Sequence, residues 1–298
     1  MQAVRLRYAV PFVLLLVAVY WSSIHPWMTN WGSTATERQM TLPGGDLHPY
    51  RTGQSTQAIT INAPPDVVWR WLVQVGQDRA GFYTYTRLEN LIGVDIHNVN
   101  EIRPEWQHLA VGDAWRLAPP DYLWGVGKDA VVPVVLSEPG RALVLKSLWG
   151  AHVIVPIDAH TSRLLVRGAS GSASLVNTLL WDPVIFTMEK RMLLGLKARA
   201  EGRPDAPAAL MAIAQLGWAA AGIAVAGLFV SQRRRRYWPV LPVVAALPAL
   251  LTLLLAPDAY IALGLAFALL LLAAVGAMVG ARSSTRDGAA RRLTTPTR

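Results

Sequence analysis

The sequence reads as an α+β chain in which one mixed domain is set beside four membrane-spanning helices. Three observations lead there. Four apolar stretches, Tyr8–Ile24, Ala208–Val230, Trp238–Ala256 and Tyr260–Ala281, contain no Asp, Glu, Lys, Arg or His. Each approaches or meets the ~20 apolar residues that a helical span needs. Between the first and second stretches lies one long polar segment, residues 25–207. Its pattern runs strand, two helices, a set of short strands, then one long helix.

Charge gives the spans an orientation. The 298-residue chain is 53% hydrophobic and carries a formal charge of +9. Residues 50–203 hold 16 basic and 14 acidic groups, whereas residues 204–298 carry +6. A nearly balanced domain argues against a nucleic-acid surface and for a small or apolar ligand. Arg5 and Arg7 precede the first span, Arg233–Arg236 lie between the second and third, and Arg282, Arg286, Arg291, Arg292 and Arg298 follow the fourth. Basic short loops stay cytoplasmic, so both termini are expected inside and the polar segment outside, at the plasma membrane. The stretch Trp21-Ser22-Ser23-Ile24-His25-Pro26 lacks a small-x-small cleavage pattern, so the first span reads as a retained anchor. Trp21, Trp27 and Trp31 suit an interfacial aromatic belt.

The elements follow in order. Residues 25–56 read as a linker, because the stretch from Gly32 to Thr56 is rich in Thr, Gly, Gln and Pro with little periodicity. Gln57–Asn62 alternates as a short strand. Pro64, Pro65 and Asp66 open a helix that Gly76 closes, with Val68, Trp71, Leu72 and Val75 on one face. Thr86 and Glu89 have capping-box spacing for a second helix ending at Gly93. Strands are expected at Asp113–Leu117, Ala130–Ser137, Ala142–Leu148, His152–Ile157 and Ser162–Gly168, with another near Val99–Arg103. Asp182-Pro183 starts the last helix, which reaches Glu201 with Ile185, Met188, Met192 and Leu196 as its apolar stripe. The domain is thus set at 57–203, a three-helix membrane region at 208–281, and a basic tail at 282–298.

The residues Ile61-Asn62-Ala63-Pro64, Val68-Trp69, Asp78-Arg79-Ala80-Gly81-Phe82-Tyr83, Leu88-Glu89-Asn90, His97-Asn98, Pro104-Glu105-Trp106-Gln107 and Met188-Glu189 resemble membrane-associated members of the SRPBCC superfamily. That superfamily includes START lipid carriers and polyketide cyclase/dehydrase-like proteins. The resemblance covers about residues 57–202. It implies a helix-grip domain, a curved antiparallel sheet around a long C-terminal helix, here joined to four transmembrane helices. It implies a ligand cavity between sheet and helix but no particular reaction, since fold does not decide activity.

Candidate site residues are weighed against plainer roles. Asp78 and Arg79 follow the first helix, where they bind an anionic head group or pin the loop. Tyr83 and Tyr85 point phenols into a cavity mouth or serve as core aromatics. Asp95, His97, Glu101, Glu105 and His108 are the densest acid–base cluster, but their spacing matches no metal motif and a hydrogen-bonded loop is the default. His97-Asn98 and Glu105-Trp106 are candidate lid elements. Glu89, Met188 and Met192 complete the ligand-binding candidates. No cysteine is present, so disulfides, a thiolate nucleophile and Cys-ligated metals are excluded. No G-x-G-x-x-G follows a strand, which removes a dinucleotide site. No cofactor and no metal are expected. Gly276 and Gly280 form a GxxxG, and Ala220/Ala224 and Gly222/Ala226 are small-residue pairs suited to helix packing or a homo-oligomer.

The expected function is therefore binding of a lipid-like or other apolar small molecule in an extracytoplasmic domain. One rival is a cyclase or dehydratase using His97 or Asp78 as general base on a polyketide-like or aromatic substrate. A second rival is an interaction module with no ligand.

Overall fold

Beta-branched and alternating segments settle into six strands: β1 (Gln54–Ile61), β2 (Ala114–Arg116), β3 (Val131–Glu138), β4 (Ala142–Leu145), β5 (Ala151–Pro156) and β6 (Ser162–Ala169). The computed structural model describes residues 18–44, 54–146, 149–169, 174, 178, 182–203, 209 and 223. The strands lie in the order β1-β6-β5-β4-β3-β2, each pair antiparallel. The last strand returns to the first, with Gln54 opposite Ala169 and Ile61 opposite Ser162. Helices α3 (Pro65–Val73) and α4 (Thr86–Leu91) fall between β1 and β2, and α5 (Asp182–Ala200) closes the unit. This order and topology fit a helix-grip fold.

One face of the sheet holds Ile59, Ile61, Leu143, Leu145, Ile154, Leu164 and Val166, which join Val68, Leu72, Met192, Leu193 and Leu196 of the helices in one apolar cluster. Trp115 is its hub, with Phe82 at 5.4 Å and Trp149 at 5.3 Å in edge-to-face contact. α5 runs in the same sense as β1, because Gln57 meets Glu189, Thr60 meets Lys197 and Asn62 meets Glu201. Gly195 lets α5 approach the loop below it: a Cβ there would sit 2.5 Å from the Tyr83 carbonyl oxygen.

The opposite face of the sheet is also apolar. Ala58, Ala142, Val144, Ala151, Val153 and Leu165 form a second cluster with Leu42. Residues 25–44 provide this cover, and here the linker expectation is corrected. The segment contains α1 (His25–Thr29), which continues a π-helical turn at Tyr20–Ile24, and α2 (Ala35–Gln39). Met28 is buried, and the Ala58 amide donates to the Trp31 carbonyl at 3.0 Å. Thr34 and Glu37 form a reciprocal capping box. Arg163 Nε and Nη2 grip the Glu37 carboxylate at 2.7 and 3.0 Å, while Arg167 donates to the Glu37 and Arg38 carbonyls. A sheet apolar on both faces needs both covered, and this strap covers the second.

Other expectations shift. The Thr86 capping box does not form: Tyr85 is the N-cap of α4, without a side-chain cap bond. Residues 99–103 are irregular rather than a strand. Ile185 and Met188 are exposed on α5, whereas Phe186, Met192, Leu193 and Leu196 are buried, so the buried stripe lies to one side of the expected one. The chain divides into two units, Met1–Asp205 and Ala206–Arg298. Of the four expected spans, only residues 18–24, 209 and 223 fall within the described residues, and the small-residue pairs and basic clusters around them lie outside. Among the described residues no helix is long and apolar enough to cross a membrane.

The Arg163–Glu37 pair yields a testable consequence. Hydrogen bonding from Arg163 holds the Glu37 carboxyl at about 2, below its ordinary 4.5. Its stabilisation is therefore whole above about pH 4.5 and is lost as pH falls through 2. Glu37→Gln should lower the unfolding free energy by about 1–3 kcal/mol at neutral pH. Urea titrations of the full chain should show the gap to the parent closing over that acidic window.

Candidate functional site

Polar side chains tie the loops together. Gln74, fully buried at the end of α3, donates to the Tyr83 phenol oxygen and the Glu101 carbonyl, both at 3.1 Å, and accepts from the Arg103 amide and Gln107. Asn98 accepts from the Tyr83 amide at 2.8 Å and donates to the Thr84 carbonyl. Asn90 makes the same two-way grip on the Ile96 backbone. Arg79 donates to the carbonyls of Val73, Trp106 and His108, tying the end of α3 to the Pro104–Trp106 turn. Backbone groups that leave regular elements must find partners, and these side chains supply them.

Among the expected site residues, Asp78 is exposed and Arg79 is committed to the backbone. His97 is paired with Asp95 at 2.9 Å, their side chains 75% and 70% exposed. Asp78 and His97 therefore do not converge inside the domain as an acid–base pair would. Tyr83, in a left-handed conformation with φ 57°, is wholly buried, and its phenol donates to the Trp71 carbonyl. Burial raises the Tyr83 pKa, and the Arg199 guanidinium lies 4.2 Å over its ring. Trp106 is half-buried beneath Arg103. Met188 is exposed, whereas Met192 is in the core.

Tyr85 and Glu89 do come together. Burial raises the Tyr85 phenol, opposed by Arg191 and reinforced by Glu89. The Arg191 guanidinium lies 6.0 Å from the Tyr85 ring centre. Glu89 is buried, and burial raises its pKa, the Thr84 hydroxyl opposing. Neither carboxyl oxygen has a hydrogen-bond partner of good geometry among the described residues.

A second polar group lies on the inner face of the sheet, under the first half of α5. Val166 is flanked in register by Gln57 on β1 and His152 on β5. The two side chains therefore share the inner face, about 10 Å apart across two strand spacings. Gln57 Nε2 donates to Glu189 at 2.7 Å, but its Oε1 has no partner among the described residues. His152 is fully buried, neither of its ring nitrogens has a partner among the described residues, and its ring centre lies 6.1 Å from that of Trp115 in edge-to-face contact. Burial depresses its pKa to about 4, so it is neutral under ordinary conditions. Burial raises Glu189 to about 7, with the Gln57 bond opposing. Two groups from the sheet and one from the helix thus present an acceptor, an imidazole and a carboxyl that exchanges its proton near neutrality. No cluster among the described residues has the composition to hold a metal ion.

No family model matches the chain, and no curated protein matches it. Two solved structures are similar. One is a conserved protein of unknown function from Enterococcus faecalis, with 18% identity and a TM-score of 0.32, covering 52% of this chain and 74% of that one. The other is a polyketide-cyclase-like protein from Corynebacterium glutamicum, with 16% identity and a TM-score of 0.24, covering 50% and 85%. The fold description rests on the strand order and closing helix of the chain itself.

His152 and Glu189 titrate with opposite signs. Glu189, raised from 4.5 to about 7, costs stability progressively as pH climbs through that interval, whereas His152, lowered from 6.5 to about 4, costs stability as pH drops from 6.5 to 4. Glu189→Gln keeps a hydrogen-bond acceptor without the charge. Thermal unfolding should show this variant gaining on the parent between pH 5 and 8, with no gain near pH 4. A constant offset across that range would place the Glu189 carboxyl in contact with water.

Proposed function

We propose that the chain is a membrane-attached binding protein for an apolar small molecule with a hydrogen-bonding end, taken between the inner sheet face and α5. The reading is carried by buried polar atoms of Gln57 and His152 that have no partner among the described residues, with Glu189 bonded to Gln57. Buried polar groups nearly always have partners, and a hydroxyl, carbonyl or carboxyl on a ligand would complete these. Gln57 offers an acceptor, His152 one donor and one acceptor, and Glu189 either role according to its proton. Trp115 and Trp149 beside His152 supply an apolar wall. Each methylene of a ligand gains about 0.8 kcal/mol on burial, and a bilayer offers nearly the same. Selection over the membrane would therefore come from the polar end.

The four apolar stretches support attachment, and the three arginine clusters favour a domain outside the cytoplasm with both termini inside. Because the chain has no cysteine, single thiols report cleanly on this. A membrane-impermeant maleimide on intact cells should label Thr52→Cys and spare Gly288→Cys. The reverse pattern would invert the topology.

Native mass spectrometry of the purified full chain should reveal a retained amphiphile. The double change Gln57→Leu and His152→Leu should weaken its binding about tenfold or more, as loss of one or two buried hydrogen bonds requires. A parent chain that retains nothing and takes up no added fatty acid or isoprenoid alcohol would defeat the proposal. The Glu189 proton near neutrality also suits general acid–base work of a cyclase or dehydratase kind. A bound molecule recovered unchanged after prolonged incubation rules that second reading out.

A further inference from the structure

One end of the Met1–Asp205 unit carries an exposed apolar rim, and we infer that this rim rests on the bilayer into which the N-terminal apolar segment runs. The strand pairings define the end. Arg116 pairs with Val131, Val134 with Leu145, Val144 with Ala151, Ala151 with Arg167, and Ala169 with Gln54. The end of β2 and the start of β3 therefore lie along the same edge of the sheet as the start of β1 and the end of β6. The loop 117–130 leaves from this edge. So does the first turn of α5, because α5 runs alongside β1 in the same sense.

The loop 117–130 presents its apolar residues outward. Trp124 is 99% exposed, with Leu123 and Val126 exposed on either side of it. Leu123 and Trp124 both have left-handed backbones, with φ of 45° and 58°. Such conformations are uncommon for bulky residues, so the surrounding loop must hold them. The Arg116 guanidinium donates to the Gly127 carbonyl at 3.2 Å, and Leu117 N donates to the Ala130 carbonyl at 2.8 Å. Gly127 is pressed so closely on Pro119 that a Cβ would lie 1.7 Å from the carbonyl oxygen. The base is closed and tight, and the tip displays indole to solvent. The Tyr122 ring packs beside Gly93, which brings exposed Ile92 to the same rim.

The N-terminal segment reaches the same end. His25 bonds Asp182, the first residue of α5, at 3.1 Å, and the Tyr20 phenol donates to the Thr178 carbonyl. Val19 and Trp21 are exposed there, as are Val184, Ile185 and Met188 on the opening turns of α5. The described chain begins at residue 18, and the 17 residues before it include the apolar run from Tyr8. The start of the described chain and the tip of loop 117–130 thus share one end. Trp favours the membrane–water boundary, where its ring is apolar and its N–H wet. Asp121 and Asp129 balance Arg116 and Lys128 in the loop, so contact would come from apolar insertion and would not need anionic lipid. The docked end is also the one nearest the first half of α5 and the Gln57–Glu189 pair, which gives an exchanging molecule a path that avoids water.

The inference needs the bilayer attachment proposed above but not a ligand. The test uses the full chain, which has no cysteine, reconstituted into phosphatidylcholine vesicles. An environment-sensitive fluorophore is placed at Trp124→Cys, at Val184→Cys and at Ile157→Cys, the last an exposed position beyond the opposite edge of the sheet. Labels at 124 and 184 should shift to the blue and lose most of their emission to lipids carrying a nitroxide in the upper acyl chain. The label at 157 should stay water-like. Water-like emission at both 124 and 184 in chains that float with the vesicles would overturn rim docking alone. Chains that fail to float would overturn attachment as well. A blue shift that grows with protein density but ignores nitroxide lipid would assign the rim to a second copy of the chain, and would equally overturn the proposal.

Discussion

Everything in the Met1–Asp205 unit depends on a sheet that is apolar on both faces. β4 shows this most plainly: Ala142, Leu143, Val144 and Leu145 are all buried, although side chains alternate between faces along a strand. One face is covered by α3 and α5, the other by residues 25–44. The two covers are linked, since Trp27 and Trp31 of the strap stack edgewise on Phe186 of α5, at 5.2 and 6.5 Å. Lys190 lies among the same three rings, and burial lowers its pKa to about 8. The strap thus belongs to the core rather than to the connection before it.

The core and the site differ in how far the sequence reveals them. Strand alternation and the Pro64-Pro65 and Asp182-Pro183 openings place six strands and two helices close to where they lie, because burial and proline geometry act locally. The strap is harder to see. Its sequence from Gly32 to Thr56 has no periodicity, yet Thr34 and Glu37 have capping-box spacing, and the all-apolar pattern of β4 signals that the outer face needs a partner. The capping-box spacing at Thr86 forms nothing, because Tyr85 rather than Thr86 ends the loop before α4. Spacing proposes a cap; the path of the preceding chain decides it.

At the site, the motif residues Arg79, Tyr83, Asn90 and Asn98 turn out to bond backbone groups and one another's loops. Polar side chains in these loops serve backbone groups that must find partners. Gln57 and His152, which like Glu89 have buried polar atoms without a partner among the described residues, stand outside those motifs. Their signal was a polar residue on the inward parity of a strand: Gln57 shares its face with Ile59 and Ile61, and His152 with Ile154. Glu189 is harder to find, because the expected α5 stripe runs through Ile185 and Met188, and the buried arc lies to one side of that line.

The attachment of α5 at both extremities has a dynamic consequence. Its first residue is held by His25 and its C-terminal end by Asn62, which donates to Glu201, and by Thr60, which accepts from Lys197, while Gly195 seats it on Tyr83 between them. A rod clamped at three points does not hinge open like a lid. Any molecule passing beneath it must do so while the helix stays in place, through transient breathing of the chain segments at its mouth, and the timescale of exchange would follow their motions rather than unzipping of the rod.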